Sequence, residues 1–165
     1  MTNRILIVDD EATERDGVEF LLRREIASCC IVQACNGREA LELYDKEPFD
    51  IVITDIKMPL MNGIELCRNI RQRSTETVLI VLSAYGDFEY TQKAIQLRVD
   101  DYILKPISVE EFNNVIRNAL LLAERGRRSA AQNDASEASE YRQKCMSSEV
   151  DSRIVSDVIR CVEEH

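Results

Sequence analysis

The sequence is short of the features that would place it in a membrane, outside the cell or on nucleic acid. Its longest uninterrupted apolar runs are five residues, Val78–Leu82 and Ala119–Ala123, where a membrane-spanning helix needs about 20. The amino terminus offers four apolar residues, Ile5–Val8, before Asp9-Asp10-Glu11, which is no secretory signal. Six cysteines are present, but none are spaced as CxxC or CxxxC; in a chain this large they read as reduced thiols of a cytoplasmic protein. Positive charge is scarce: 21 Lys and Arg face 30 Asp and Glu, a formal net charge of −9. So acidic a surface argues against a nucleic-acid grip by these residues alone, because phosphate contacts dominate such affinity. The one histidine, His165, stands at the end of the sequence and is assigned no role.

What is present reads as a globular chain. Hydrophobic residues at 45% with 31% charged exclude disorder of the whole, and 165 residues make one domain of about 100–150 plus an appendage. Short runs rich in Ile, Val and Leu occur at Arg4–Val8, Cys30–Ala34, Asp50–Thr54, Thr77–Leu82 and Tyr102–Leu104. Such runs, bounded by acids, Ser or Pro, predict strands buried on both faces. Between them apolar residues recur at helical spacing: Val18, Leu21, Leu22 and Ile26; Ala40, Leu41 and Tyr44; Ile64, Leu66, Cys67 and Ile70; Tyr90, Ala94, Ile95 and Leu97. A fifth pattern, Phe112 to Leu122, opens with Ser108-Val109-Glu110-Glu111, the spacing of a capping box. Five strand–helix repeats predict an α/β fold with a parallel sheet and right-handed crossovers.

After Ala123 the character changes. Residues 124–150 are mostly Arg, Ser, Ala, Gln and Glu and read as a polar, helical linker. Within 151–165, Ile154, Val155, Val158, Ile159 and Val162 form one apolar stripe on a short helix, which is marginal in water without a partner surface. The expected organisation is therefore a domain over 1–123, a linker over 124–150 and an amphipathic helix over 151–165.

In open parallel sheets ligands bind beyond the carboxyl ends of the strands. The residues there are Asp9-Asp10-Glu11 after the first run, Asp55 after the third, Ser83 after the fourth and Lys105-Pro106 after the fifth. If the first and third strands are neighbours, Asp9, Asp10 and Asp55 converge, and two carboxylates about 4 Å apart repel by roughly 4 kcal/mol at an effective dielectric near 20. A hard divalent cation relieves that, and Mg²⁺ favours carboxylate oxygens and bridges to phosphate. Carboxylate, Mg²⁺, hydroxyl and ammonium together describe a phosphoryl-acceptor site with Asp55 as nucleophile. Singly, each residue has a plainer reading: Asp9-Asp10 as a helix cap, Asp55 as a turn acid, Lys105 as a loop lysine. The joint placement on successive strand ends carries the argument.

Ile5–Glu11, Asp55-Ile56-Lys57-Met58-Pro59-Leu60-Met61-Asn62-Gly63, Leu82-Ser83-Ala84-Tyr85 and Asp101-Tyr102-Ile103-Leu104-Lys105-Pro106 together resemble the receiver domain of two-component response regulators, over residues 4 to about 123. The resemblance implies a doubly wound, flavodoxin-like five-stranded sheet of order 2-1-3-4-5 and a phosphoryl switch fed by a sensor histidine kinase. Asp55 looks like the acceptor. Mg²⁺ is implied at Asp9, Asp10 and Asp55 with the main-chain carbonyl of Lys57. Ser83 and Lys105 look like the phosphoryl-stabilising pair, Tyr102 like the switch aromatic, and the bond to Pro106 is expected to be cis. Ser83-Ala84-Tyr85-Gly86-Asp87-Phe88-Glu89-Tyr90 followed by Lys93-Ala94-Ile95 resembles regulators of the YesN type, which carry an AraC-like helix-turn-helix output domain. The stripe from Ile154 then resembles the first helix of an output domain cut off at His165. The implied partners are the kinase, a second copy on phosphorylation, and DNA through an output domain absent from this chain; no membrane is implied. Lys57 and Tyr85 are expected to shield the acyl phosphate from water.

Other classes fit less well. An aspartate-nucleophile phosphatase of the haloacid-dehalogenase type needs an acid two residues after the nucleophile, where this chain has Lys57. A flavin-binding module needs a hydroxyl- or glycine-rich phosphate loop after the first strand, where Asp9-Asp10-Glu11 would repel phosphate. A free-standing phosphorelay receiver remains the nearest rival. A redox sensor built on Cys29 and Cys30 is disfavoured because both stand at the start of a strand expected to be buried, and buried thiols are usually inert.

Overall fold

A computed structural model describes residues 2–84 and 97–129. The elements run β1 (Asn3–Val8), α1 (Ala12–Glu25), β2 (Cys29–Ala34), α2 (Gly37–Lys46), β3 (Ile51–Asp55), α3 (Gly63–Arg73), β4 (Val78–Ala84) and β5 (Asp101–Lys105), followed by a helix over 109–129 that we number α4. The chain divides into two units, Met1–Gly126 and Arg127–His165. The helical pattern through Tyr90 and Ile95, Tyr85, most of the linker and the stripe from Ile154 lie outside the described residues.

The five strands make one parallel sheet in the order β2-β1-β3-β4-β5, as the fold class requires. Alternation along each strand divides the apolar side chains between two cores. Leu6, Val8, Val52, Leu79 and Val81 face Ala40 and Tyr44 of α2 and Ile64, Cys67 and Ile70 of α3. Ile5, Ile7, Ile53, Ile80 and Ile103 face Val18 and Leu22 of α1 and Phe112, Ile116 and Ala119 of α4. Each fully buried side chain of this kind contributes about 1.5–3 kcal/mol, so β1, β3 and β4, which are apolar on both faces, are the stable floor of the site.

The second strand departs from the expectation. β2 is only partly buried along most of its length, and Cys30 is exposed. The reason is its place at the sheet edge: one side of the strand has no neighbouring strand among the described residues. Cys29 and Cys30 are also adjacent on a strand and so point to opposite faces, which opposes a disulfide between them. Helix starts follow local chemistry. Asn36 and Asn62 accept the Glu39 and Glu65 amides at 2.9 Å each, satisfying donors that a helix leaves unpaired. Ser108 does so for Glu111 at 3.5 Å.

Candidate functional site

Register brings the acids together. Val8 pairs with Thr54, so the next residues, Asp9 and Asp55, stand level at adjacent strand ends. Ser83 pairs with Leu104, and Lys105 closes β5 beside them. Asp9, Asp55 and Ser83 are buried. All four line a cleft of about 310 Å³ together with Asp10, Glu11, Glu14, Ile56, Lys57 and Ala84.

The centre of the site is one ammonium held by two carboxylates. Lys105 Nζ lies 2.9 Å from Asp55 Oδ1 and 3.0 Å from Asp9 Oδ2, with Glu14 Oε2 at 3.7 Å. The second oxygen of each buried acid takes a main-chain donor: Lys57 N to Asp55 Oδ2 at 2.7 Å and Glu11 N to Asp9 Oδ1 at 2.9 Å. Burial pushes the Asp55 carboxyl above its ordinary value and the Asp9 charge adds to that, while the Lys105 ammonium and the Lys57 amide act in the opposite direction without cancelling it. Burial also works against the Lys105 charge, but Asp55 and Asp9 outweigh it and hold the ammonium protonated above its usual range.

The loop after β3 is fixed by close backbone approach. Leu60 has φ 69°, and the Met61 amide donates to Pro59 O at 2.8 Å, closing a tight three-residue turn of a rare kind. The Gly63 amide then donates to Ile56 O at 2.9 Å. A Cβ on Gly63 would lie 2.0 Å from Asp55 O, so only glycine lets α3 begin against the end of β3.

Of the residues named from sequence, Asp9, Asp55, Ser83 and Lys105 meet in the cleft, with Asp10 and Lys57 exposed at its edge. Ser83 Oγ donates to Ala84 O at 3.1 Å. Tyr102 is half-buried against the α2–α3 core, and the Lys105–Pro106 peptide is cis. Sequence reasoning missed Glu14, Gly63 and Arg15, whose Nη1 donates to Asp9 O at 2.7 Å. A glycine opening a helix eight residues after Asp55 was a readable signal of close approach; Glu14 and Arg15 carried none.

The donor set suits a hard cation. The cleft is lined by five acids and two lysines, offers carboxylate and carbonyl oxygens, and has no imidazole or thiolate, which is the chemistry Mg²⁺ selects. Among the described residues no three acidic, His or Cys side chains are drawn into a ligating group; Lys105 holds the place between Asp9 and Asp55. Among the same residues no helix is long and apolar enough to cross a membrane.

Comparison with known proteins bears on the same residues. The family model of the response regulator receiver domain matches residues 5–117. The chain is 38% identical over 122 residues to the regulatory protein AtoC of Escherichia coli, covering 73% of this chain and 26% of AtoC. It is 40% identical over 110 residues to the transcriptional regulatory protein YesN of Bacillus subtilis, covering 66% and 30%. Among solved structures, it resembles a two-component transcriptional regulator AraC from Clostridium phytofermentans, with TM-score 0.70, 34% identity, and 76% of this chain and 98% of that one covered. A response regulator receiver domain protein from Clostridium thermocellum gives TM-score 0.65 at 28% identity, covering 71% and 93%. The chain spans only about a quarter to a half of the length of the curated relatives it matches.

Proposed function

Because the chain belongs to the response regulator receiver domain family, whose members are signalling domains, we propose that Asp55 accepts a phosphoryl group from a sensor histidine kinase and that the acyl phosphate switches the domain. The observation that carries this reading is the Lys105 ammonium set 2.9 Å from Asp55 Oδ1 and 3.0 Å from Asp9 Oδ2. A cation so placed is charge compensation for oxygens about to arrive.

Asp55 attacks the phosphorus through a carboxylate oxygen as the phosphorus–nitrogen bond of the kinase phosphohistidine breaks. Lys105 leaves its carboxylate partners for the new phosphoryl oxygens, and the Ser83 hydroxyl, now on Ala84 O, turns to donate to them. The Lys57 amide on Asp55 Oδ2 keeps the carboxylate aimed. Asp9, Asp10, Asp55 and the Lys57 carbonyl would hold Mg²⁺, which when bound would neutralise negative charge on the transferring group. The acyl phosphate carries roughly −1.5 to −2 charges where the carboxylate carried one; Ser83 moves inward, and Tyr102 follows into the space it leaves. The chain turns over no separate substrate in this scheme.

The named relatives are a regulatory and a transcriptional regulatory protein, which favours a transcriptional output over a free-standing relay. In this reading 1–123 is the receiver of a YesN-like regulator, 124–150 links it onward, 151–165 begins a DNA-binding output domain, and phosphorylation drives homodimer formation in the cytoplasm. The test is intact mass after incubation with acetyl phosphate and Mg²⁺, beside Asp55→Asn. A gain of one phosphoryl group in the parent only, lost on removing Mg²⁺, is expected; no gain, or an equal gain in the variant, overturns the acceptor assignment.

A further inference from the structure

We infer that Arg15 is a positioning residue for this site: its guanidinium fixes the peptide between Asp9 and Asp10, and with it the placement of both carboxylates toward a divalent cation. The inference rests on the phosphoryl-site reading above.

Arg15 lies in the first turns of α1 and is half-buried. Its Nη1 donates to the main-chain carbonyl of Asp9 at 2.7 Å and its Nε to Gln33 Oε1 at 3.1 Å. The planar fork thus bridges the end of β1 to β2. It is braced from behind: Gln33 Nε2 donates to Glu19 Oε2 at 2.7 Å and to Asp16 Oδ1 at 3.3 Å, which fixes the amide oxygen toward Arg15. The carbonyl of Asp9 belongs to the peptide that leads into Asp10. The remaining polar groups of Asp9 are anchored as well, its amide on Ala34 O at 3.3 Å and its carboxylate by Glu11 N and Lys105. Asp10, by contrast, is exposed, so its direction depends on how that peptide plane is held. Changing a residue that orients metal ligands typically costs about 10–100-fold in metal affinity.

Charge and geometry predict opposite signs, and this makes the inference testable. Arg15 is positive and near a cation site. If it acted by charge alone, Arg15→Gln would bind Mg²⁺ more tightly and Arg15→Lys would match the parent. If it only supported the fold, both variants would unfold at lower temperature while binding Mg²⁺ as the parent does. A positioning role predicts weaker binding in both, by about ten-fold or more for Arg15→Gln, because lysine keeps the charge but cannot reproduce the two-pronged fork.

The experiment is titration of the full 165-residue chain with MgCl₂, followed through the amide chemical shifts of Asp9, Asp10 and Asp55, below the unfolding transition. Arg15→Lys serves where Arg15→Gln folds poorly, and Gln33→Leu, which removes the brace but keeps the carbonyl bond, is expected to lose a smaller part. Weakened binding in both Arg15 variants supports the inference. Tighter or unchanged binding in Arg15→Gln overturns it. A parent that shows no Mg²⁺-dependent shifts overturns the phosphoryl-site reading beneath it, and the role of Arg15 with it.

Discussion

Lys105 Nζ and Asp55 Oδ1 are 2.9 Å apart, yet this is not a private ion pair, because Asp9 claims the same ammonium at 3.0 Å. Removing the lysine takes away the ammonium that Asp9 and Asp55 share. Lys105→Met should therefore destabilise the chain by roughly 1–3 kcal/mol in the absence of metal, the penalty of buried polar groups left unpaired. Mg²⁺ should restore more stability to this variant than to the parent. Thermal unfolding of both with and without MgCl₂ checks it; equal stabilisation would mean that Lys105 and the metal do not share one electrostatic role.

The raised Asp55 carboxyl fixes the sign of a pH effect. In the unfolded chain the group ionises at its ordinary value of 3.8, while burial keeps it protonated to higher pH in the folded one. Across that window the native state binds more protons, so this group's contribution to stability falls as pH rises from 3.8 through the higher native value. Asp55→Asn removes the ionisation and retains the shape. It should be more stable than the parent at pH near 7, with the difference shrinking toward pH near 4 and also on adding Mg²⁺. Denaturant unfolding at several pH values measures this, and a constant difference would rule out Asp55 titration as its source.

Much of this site could be read from sequence because strand-end positions are punctuated. Asp9, Asp55, Ser83 and Lys105 each follow an apolar run, and the parallel sheet has only one edge on which such residues can collect. The edge position of β2 was implied by the resemblance, through the order 2-1-3-4-5, but not by the apolar pattern, since Ile31, Val32 and Ala34 read like part of a buried strand. Lys105 bridging two acids was hidden for a similar reason: a ligand cluster reads the same whether a metal or an ammonium sits in it. Arg15 and Glu14 reach the site through the turn of α1, and no spacing rule distinguishes them from a solvated helix face.

Two glycines give opposite predictions from one substitution. At Gly63 an added Cβ would meet Asp55 O at 2.0 Å, and backbone cannot step aside. Gly63→Ala should cost about 3 kcal/mol or more, in the range of severe packing defects, and should weaken Mg²⁺ binding by shifting the end of β3. At Gly17, in the middle of α1, nothing lies within 4 Å. Gly17→Ala should stabilise by about 0.5–1 kcal/mol through helix propensity. Denaturant unfolding of both variants decides; a mild Gly63→Ala would show that the β3–α3 junction is softer than its geometry.

Tyr102 is the residue through which, in the proposed switch, the site's state would reach a surface. It pairs with Val81, two residues before Ser83, so it shares a sheet face with the hydroxyl that is proposed to move. Its side chain packs against the α2–α3 core, as Leu97 and Val99 also do, and is only partly buried. If an inward Ser83 makes room for the ring, Tyr102→Ala should gain one phosphoryl group as the parent does but lose phosphorylation-dependent dimerisation. Intact mass and light scattering after gel filtration measure the two events separately, and undiminished dimerisation would sink the coupling. Tyr102→Phe then distinguishes ring from hydroxyl: filling the vacated space requires only the ring, so the phenylalanine variant should dimerise like the parent. If it fails as the alanine variant does, a hydrogen bond from the phenol, and not the filling of space, transmits the signal.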